Sequence, residues 1–303
     1  MIIDGKIIAN QIQEALKKEI RHTATRPPCL AALLVGNHLP SQIYVKRKIE
    51  ACAFTGIHSR KQEFPVSISE ADLLDEITLL NRDPNVDGIL VQFPLPPHIH
   101  SITVTHHIHP KKDVDGFHPE NMGKLLLGDV SGFIPCTPLG IKILLEHSAI
   151  DIMGKHVLIV GRSNIVGKPL AVLLMQKHPG GNATVTVAHS HTKNLKSLCQ
   201  TADILIAAVG QAQFITADMV KEGGIVIDVG INRLADSTSA RGYRMVGDVD
   251  FERVAPKCAA ITPVPGGVGP MTIAMLLHNT WLSYRRSMGI SHGSRLDNPV
   301  YFC

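Results

Sequence analysis

Residues 157–174, VLIVGRSNIVGKPLAVLL, join an apolar run of strand length to an apolar helix through a turn that carries Gly161, Arg162, Ser163 and Gly167. Glycine at such a turn lets the backbone come close to a phosphate, and the free N–H groups that start the next helix face the anion. The spacing is G-x-x-x-x-x-G and departs from the three-glycine dinucleotide fingerprint, so a purely structural turn stays open beside the phosphate-binding one.

The same strand-helix alternation recurs on either side. HVLIVG (156–161), TVTVAHS (184–190), DILIAAVG (203–210) and GIVIDVGI (224–231) predict four strands of a Rossmann-type half-sheet. Upstream, LAALLVG (30–36) and DGILVQF (87–93) alternate with helices near 7–22, 41–56 and 71–81. Such continuously apolar strands predict a parallel sheet covered on both faces. The expected fold is α/β, with two domains, each a mainly parallel sheet with flanking helices, and a cleft between them. Residues 1–137, completed by a C-terminal helix over about 265–285, form the first domain, and 138–264 form the nucleotide-binding one. Residues 286–303 read as a flexible tail.

The strand end after the glycine turn bears on the choice of dinucleotide. Folds that use NAD commonly place Asp or Glu there to accept from the ribose 2′-OH. Here the positions are His189, Ser190, His191 and Thr192, so no carboxylate repels a 2′-phosphate, Ser190 can donate to it and Arg162 can pair with it. NADP is the expected cofactor. Val209-Gly210 and Gly230-Ile231 close later strands, at the edge where the nicotinamide half would sit.

Composition excludes other classes. The chain has 303 residues, 45% hydrophobic and 18% charged, enough for two cored domains. Net charge is +4 and only 4% of residues are aromatic, which argues against nucleic-acid binding. No apolar run is long enough to cross a membrane, and the N-terminus lacks the pattern of a signal peptide. Six dispersed cysteines without ligand spacing point to a reduced, cytoplasmic setting and no structural metal. HIHSITVTHHIHP (98–110) concentrates five histidines and reads as a solvated loop rather than a metal site, since nearby thiolates or carboxylates are lacking.

The first half carries its own polar candidates. SQIYVKRKIEACAFTGI (41–57) reads as a helix capped by Ser41 and stopped by Gly56, with Val45, Ile49, Cys52 and Ala53 on the apolar stripe. Lys46 and Lys48 then diverge, while Tyr44 and Lys48 share the stripe edge with Ala51 and Thr55. A solvated lysine and a partly desolvated ammonium beside a phenol ring both fit that edge. Gln92 ends a strand, where α/β sheets present ligand contacts. Asp113 and Asp115 precede a glycine in KKDVDGFHPENMGKL (111–125), and turn formation explains at least one of them. TPVPGGVGPMT (262–272) is a rigid loop suited either to a flat ligand or to a hinge.

Taken in order, SQIYVKRKIEACAFTGI, DGILVQFPLP, KKDVDGFHPENMGKL, FIPCTPLGI, GRSNIVGKPLA, GIVIDVGIN, VGDVDF and TPVPGGVGPMTIAML resemble the bifunctional methylenetetrahydrofolate dehydrogenase/methenyltetrahydrofolate cyclohydrolase family over essentially residues 1–284. The resemblance implies oxidation of 5,10-methylenetetrahydrofolate by NADP and hydrolysis of the methenyl product to 10-formyltetrahydrofolate, in a homodimer. It implies Lys48 as general acid/base, Tyr44 stacked on the aminobenzoyl ring, Gln92 holding the lysine and Asp115 binding the pterin. Val91, Phe93, Pro265, Gly266 and Gly267 would contact folate, and Gly161, Arg162, Ser163, Ser190 and Ile231 would line the NADP site. NHLPSQ (37–42) departs from the family pattern before the serine, and His191 sits at a variable position. A different two-domain NADP dehydrogenase would explain GRSNIVG but not Tyr44, Lys48, Gln92 and Asp115 together. A non-enzymatic nucleotide-binding module would leave those groups as mere surface.

Overall fold

The computed structural model describes residues 1–239 and 242–290, so the flexible tail expected over 286–303 lies outside the described residues from 291 onward, while Arg286 and Ser287 end a helix. The chain divides into two compact units. One comprises Asn10–Cys136 with residues 273–290; the other comprises Met1–Ala9 with Thr137–Thr272. Mixed α/β architecture with parallel sheets is what the apolar runs predicted.

In the first unit, most of α1 (Gly5–Thr23) leads into β1 (Cys29–Val35), α2 (Leu39–Thr55), β2 (His58–Phe64), α3 (Glu70–Arg82), β3 (Gly88–Val91), α4 (Ser101–His107) and α5 (Pro119–Leu127). The sheet order is β2-β1-β3, all parallel. All seven residues of the central strand β1 are buried, as expected of a strand covered on both faces. Its neighbour β2, HSRKQEF, is polar and half-exposed, so it lacks the apolar run that would mark it in the sequence. The histidine-rich segment is not simply a loop: Ser101–His107 is helical, with Val104 buried in the core. Among the described residues no group of three His, Cys, Asp or Glu side chains is placed to hold a metal.

In the second unit, α6 (Cys136–His147) precedes β4 (His156–Val160), α7 (Gly167–Met175), β5 (Thr184–Ala188), α8 (Leu195–Thr201), β6 (Ile204–Ala207) and β7 (Ile225–Asp228). A hairpin of β8 (Asn232–Ala235) and β9 (Tyr243–Val246) follows, then α9 (Phe251–Val254), β10 (Ala260–Ile261) and the start of α10 (Val268–Ser287), whose residues from Ile273 onward belong to the first unit. The parallel sheet runs β10-β7-β6-β4-β5. Four of its strands are the expected ones, and β10 is a two-residue addition too short for any periodicity to show. Met1–Ala9 belongs here because Ile3 N–H donates to Ile261 O at 2.8 Å and Lys6 N–H to Gly266 O at 3.0 Å. No helix among the described residues is long and apolar enough to cross a membrane.

A buried carboxylate ties the first unit together. Asp87, one residue before β3, accepts from both terminal nitrogens of Arg26 at 2.7 and 2.8 Å and from Cys29 N–H at 2.7 Å. Its own carbonyl accepts from Ser283 Oγ on α10 at 2.6 Å. Removing the carboxylate strands an arginine and a buried N–H, so Asp87→Ala is expected to cost about 3 kcal/mol in denaturant unfolding. A loss below about 1 kcal/mol would contradict this account of the network.

Candidate active site

The structure rotates α2 relative to the expected stripe. Ser41, Val45, Lys48, Ala51, Cys52 and Thr55 are buried, whereas Ile49 is half-buried and Ala53 exposed. The helix also begins earlier, with His38 as N-cap and Pro40 in the first turn, so Ser41 lies inside it rather than capping it. Ser41 Oγ donates to Phe93 O at 3.4 Å and lies 2.9 Å from His38 Nδ1. Gly56 stops the helix in the left-handed region at φ 87°, as its position suggested. Lys48 therefore sits on the buried face, 5% exposed, while Lys46 and Arg47 point to solvent.

Such a lysine needs partners, and three surround it. Lys48 Nζ donates to Gln92 Oε1 at 3.1 Å and lies 4.8 Å from the centre of the Tyr44 ring. The orientation of the Gln92 amide follows from its other end, because Nε2 donates to Phe93 O at 2.8 Å and only the oxygen is left to face the lysine. The third partner is Asp115, which interacts with Lys48 electrostatically. Burial holds the Lys48 pKa below the ordinary 10.5, and the opposing pull of Asp115 is the smaller effect. The same burial lifts the Asp115 carboxyl to about 6, against the attraction of Lys48. The pair thus shares a setting that disfavours both charges.

Asp115 is placed by Asp113 and by neighbours that sequence reading passed over. Asp113, read as a turn former, is buried and accepts from His118 N–H at 2.7 Å and Asn121 Nδ2 at 2.8 Å. Cys136 Sγ donates to Val114 O at 3.3 Å and approaches Asp115 Oδ1 at 3.9 Å. Asn279 Nδ2 on α10 donates to Val114 O at 2.9 Å and Ile134 O at 3.0 Å. Asn121 and Cys136 lay inside motif blocks without being singled out, and Asn279 lies beyond the last block, with no signal in the sequence. Val91 is 3% exposed and its side chain packs in the core of the first unit.

In the second unit, the glycine turn has the form a phosphate cradle needs. Gly161 has φ 132°, and a Cβ there would run into the carbonyl oxygen of Ala208. A Cβ at Gly167 would run into the carbonyl oxygen of Gly161. Ser163 Oγ accepts from Val166 N–H at 3.2 Å and Gly167 N–H at 3.4 Å, which orders the turn before α7. Arg162, Ser163, Ser190 and Ile231 are exposed at the ends of β4, β5 and β7, open to a ligand. The residues therefore fit a bound dinucleotide. Pro265, Gly266 and Gly267 also lie in this unit, rather than in the unit of Lys48.

A parallel sheet with such a turn, accompanied by a desolvated lysine cluster in its companion unit, defines a two-domain α/β enzyme of the dinucleotide-dependent class. Comparisons make the family specific. Residues 3–115 match the family model "Tetrahydrofolate dehydrogenase/cyclohydrolase, catalytic domain", and residues 135–288 match its "NAD(P)-binding domain". The chain belongs to the tetrahydrofolate dehydrogenase/cyclohydrolase family. It is 64% identical over 291 residues to "Bifunctional protein FolD" of Protochlamydia amoebophila, covering 96% of this chain and 100% of that protein. A crystal structure of the bifunctional FolD of Campylobacter jejuni superposes with a TM-score of 0.89 at 48% identity, covering 94% and 99% of the two chains. The FolD of Trypanosoma brucei, solved with NADP and inhibitor, gives a TM-score of 0.89 at 38% identity, covering 95% and 98%.

The raised Asp115 pKa has a measurable sign. Between its ordinary value of 3.8 and about 6, the folded state keeps a proton that the unfolded chain has released, so stability falls as pH rises through that window. Asp115→Asn cannot ionise and is expected to make this part of the stability profile shallower, leaving the contribution of Asp228, which is likewise raised to about 6. Thermal melts from about pH 4 to about pH 7 check it, and an unchanged slope in the variant would contradict the assignment.

Proposed function

We propose that this chain oxidises 5,10-methylenetetrahydrofolate with NADP and hydrolyses the 5,10-methenyl product to 10-formyltetrahydrofolate, with Lys48 handling the protons. The observation that carries the residue assignment is the buried Lys48 Nζ held on Gln92 Oε1 with its pKa depressed. Family membership supports both activities.

The methylene carbon of the substrate lies between two nitrogens, so loss of hydride leaves a delocalised cation and asks the protein mainly for orientation. NADP, when bound at Gly161, Arg162, Ser163, Ser190 and Ile231, supplies the hydride acceptor. Tyr44 offers its ring to the aminobenzoyl group, and Asp115 accepts from pterin N–H groups when ionised. Val91 and Phe93 lie at the end of β3, and the family resemblance adds Pro265, Gly266 and Gly267 as folate contacts. Hydrolysis demands more. Water adds to the methenyl carbon and the bond to N5 breaks; of the two protons the water gives up, one must reach N5 and the other is released. A lysine with an ordinary pKa is protonated near neutrality and cannot take that first proton; burial makes its neutral form accessible. The Gln92 oxygen holds one N–H, which directs the lone pair, and a cationic substrate nearby depresses the pKa further. The dispersed cysteines of the sequence, five of them free among the described residues, support a cytoplasmic setting. The family resemblance supports a homodimer, and β5, at the sheet edge with Val187 exposed, is suited to pairing.

Supplied with methylenetetrahydrofolate and NADP, the protein is expected to form methenyl and then formyl product, and no methenyl formation would overturn the reading. Lys48→Met should slow hydrolysis of supplied methenyltetrahydrofolate by at least about 100-fold while folate still binds. Hydrolysis at the parental rate would remove Lys48 from its role.

A further inference from the structure

Two further carboxylates are buried where the second sheet ends, and no step above uses them. Asp228, the last residue of β7, is 2% exposed, and Asp248, just after β9, is 0% exposed. Asp228 Oδ1 accepts from the N–H groups of Gly230 and Asp248, each at 2.9 Å, and Oδ2 accepts from Val249 N–H at 3.0 Å. Asp248 Oδ2 accepts from Val209 and Gly210 N–H at 2.6 and 2.9 Å, and Oδ1 accepts from Asn232 Nδ2 at 2.9 Å. Six donors from three strand-end segments thus converge on two acidic side chains. Space is equally committed: a Cβ at Gly230 would run into the Asp248 carboxylate, and one at Gly247 into that of Asp228.

This arrangement is expensive. Burial pushes the Asp228 carboxyl up to about 6, and the nearby negative charge of Asp248 adds to the effect. Loops at strand ends can be closed without two desolvated like charges, so the network is informative for what it immobilises. It holds Val209-Gly210 after β6, and it grips Gly230 and Asn232 on either side of Ile231, whose side chain is 56% exposed. These are the segments at the carboxyl edge of the parallel sheet, where the nicotinamide end of a dinucleotide is received.

We infer that Asp228 and Asp248 are positioning residues that fix Gly210 and Ile231 for the cofactor, so that NADP-dependent oxidation depends on them and hydrolysis does not. The inference rests on the proposed placement of NADP along this edge. Neither residue needs to touch the reacting atoms.

Asp228→Asn tests it sharply, because all three donors to Asp228 are backbone N–H groups and either amide orientation turns an NH2 toward at least one of them. Asn232→Ala is the milder companion and leaves both carboxylates with their backbone partners. The KM for NADP in oxidation is expected to rise at least about fivefold in Asp228→Asn and about threefold in Asn232→Ala, with hydrolysis of supplied methenyltetrahydrofolate within about twofold of the parent. An unchanged KM for NADP in Asn232→Ala and in any Asp228→Asn that folds would overturn the inference, as would equal losses in both activities. Should Asp228→Asn not fold, Asn232→Ala decides alone. A parent protein active with NADP but variants without a shift defeats only this inference; a parent inactive with NADP defeats the functional reading and this inference with it.

Discussion

Burial of one ammonium group sets the electrostatics of the polar cluster in the first unit. Lys48 occupies the inner face of α2, where water does not stabilise its charge, and its neighbours replace solvation only in part. Gln92 gives an acceptor, the Tyr44 ring a weak electrostatic partner and Asp115 an opposite charge that is itself lifted toward neutrality. Were the attraction of Asp115 to outweigh burial, Lys48 would be held charged and useless as a base. Desolvation prevails and holds the Lys48 pKa below its ordinary value, as the proposed role in proton transfer requires.

The second unit solves a different problem with backbone. Its cofactor turn depends on two positions without side chains, and the opposite loops of the same sheet edge are pinned by buried carboxylates that collect N–H groups. Both devices place main-chain groups rather than reactive side chains, which suits a step in which the hydride moves once the partners are oriented. On the proposed reading, acid-base chemistry falls to Lys48, and placement of the cofactor to the segments around Gly161 and Asp228.

Much of this was readable in the residues. Apolar runs gave six parallel strands because buried strands need continuous hydrophobicity, and Gly56 marked the end of α2 because left-handed backbone favours glycine. Strands β2 and β10 were not readable: one is a polar edge, the other two residues long. The stripe of α2 was misplaced because counting apolar residues put Ala53 inside and left Lys48 at the edge, whereas Ser41, Lys48 and Thr55 are buried with their polar atoms bonded. Polar groups on a buried face look like surface until their partners, distant in sequence, are known. Asp228 and Asp248 escaped for the same reason, since their donors are mostly backbone N–H groups that no side-chain pattern reveals, and the buried partners of Asp113 stayed equally hidden.

The ionisation of Lys48 is the point at which the account is most exposed. Carbon-13 labelling at the lysine ε position, with Lys48→Met used to assign the resonance, would follow its titration by nuclear magnetic resonance in the folded protein. A midpoint clearly below the ordinary 10.5 is the result expected of a desolvated general base. Titration at or above that value would show the amine to be held charged, and would contradict its role in hydrolysis.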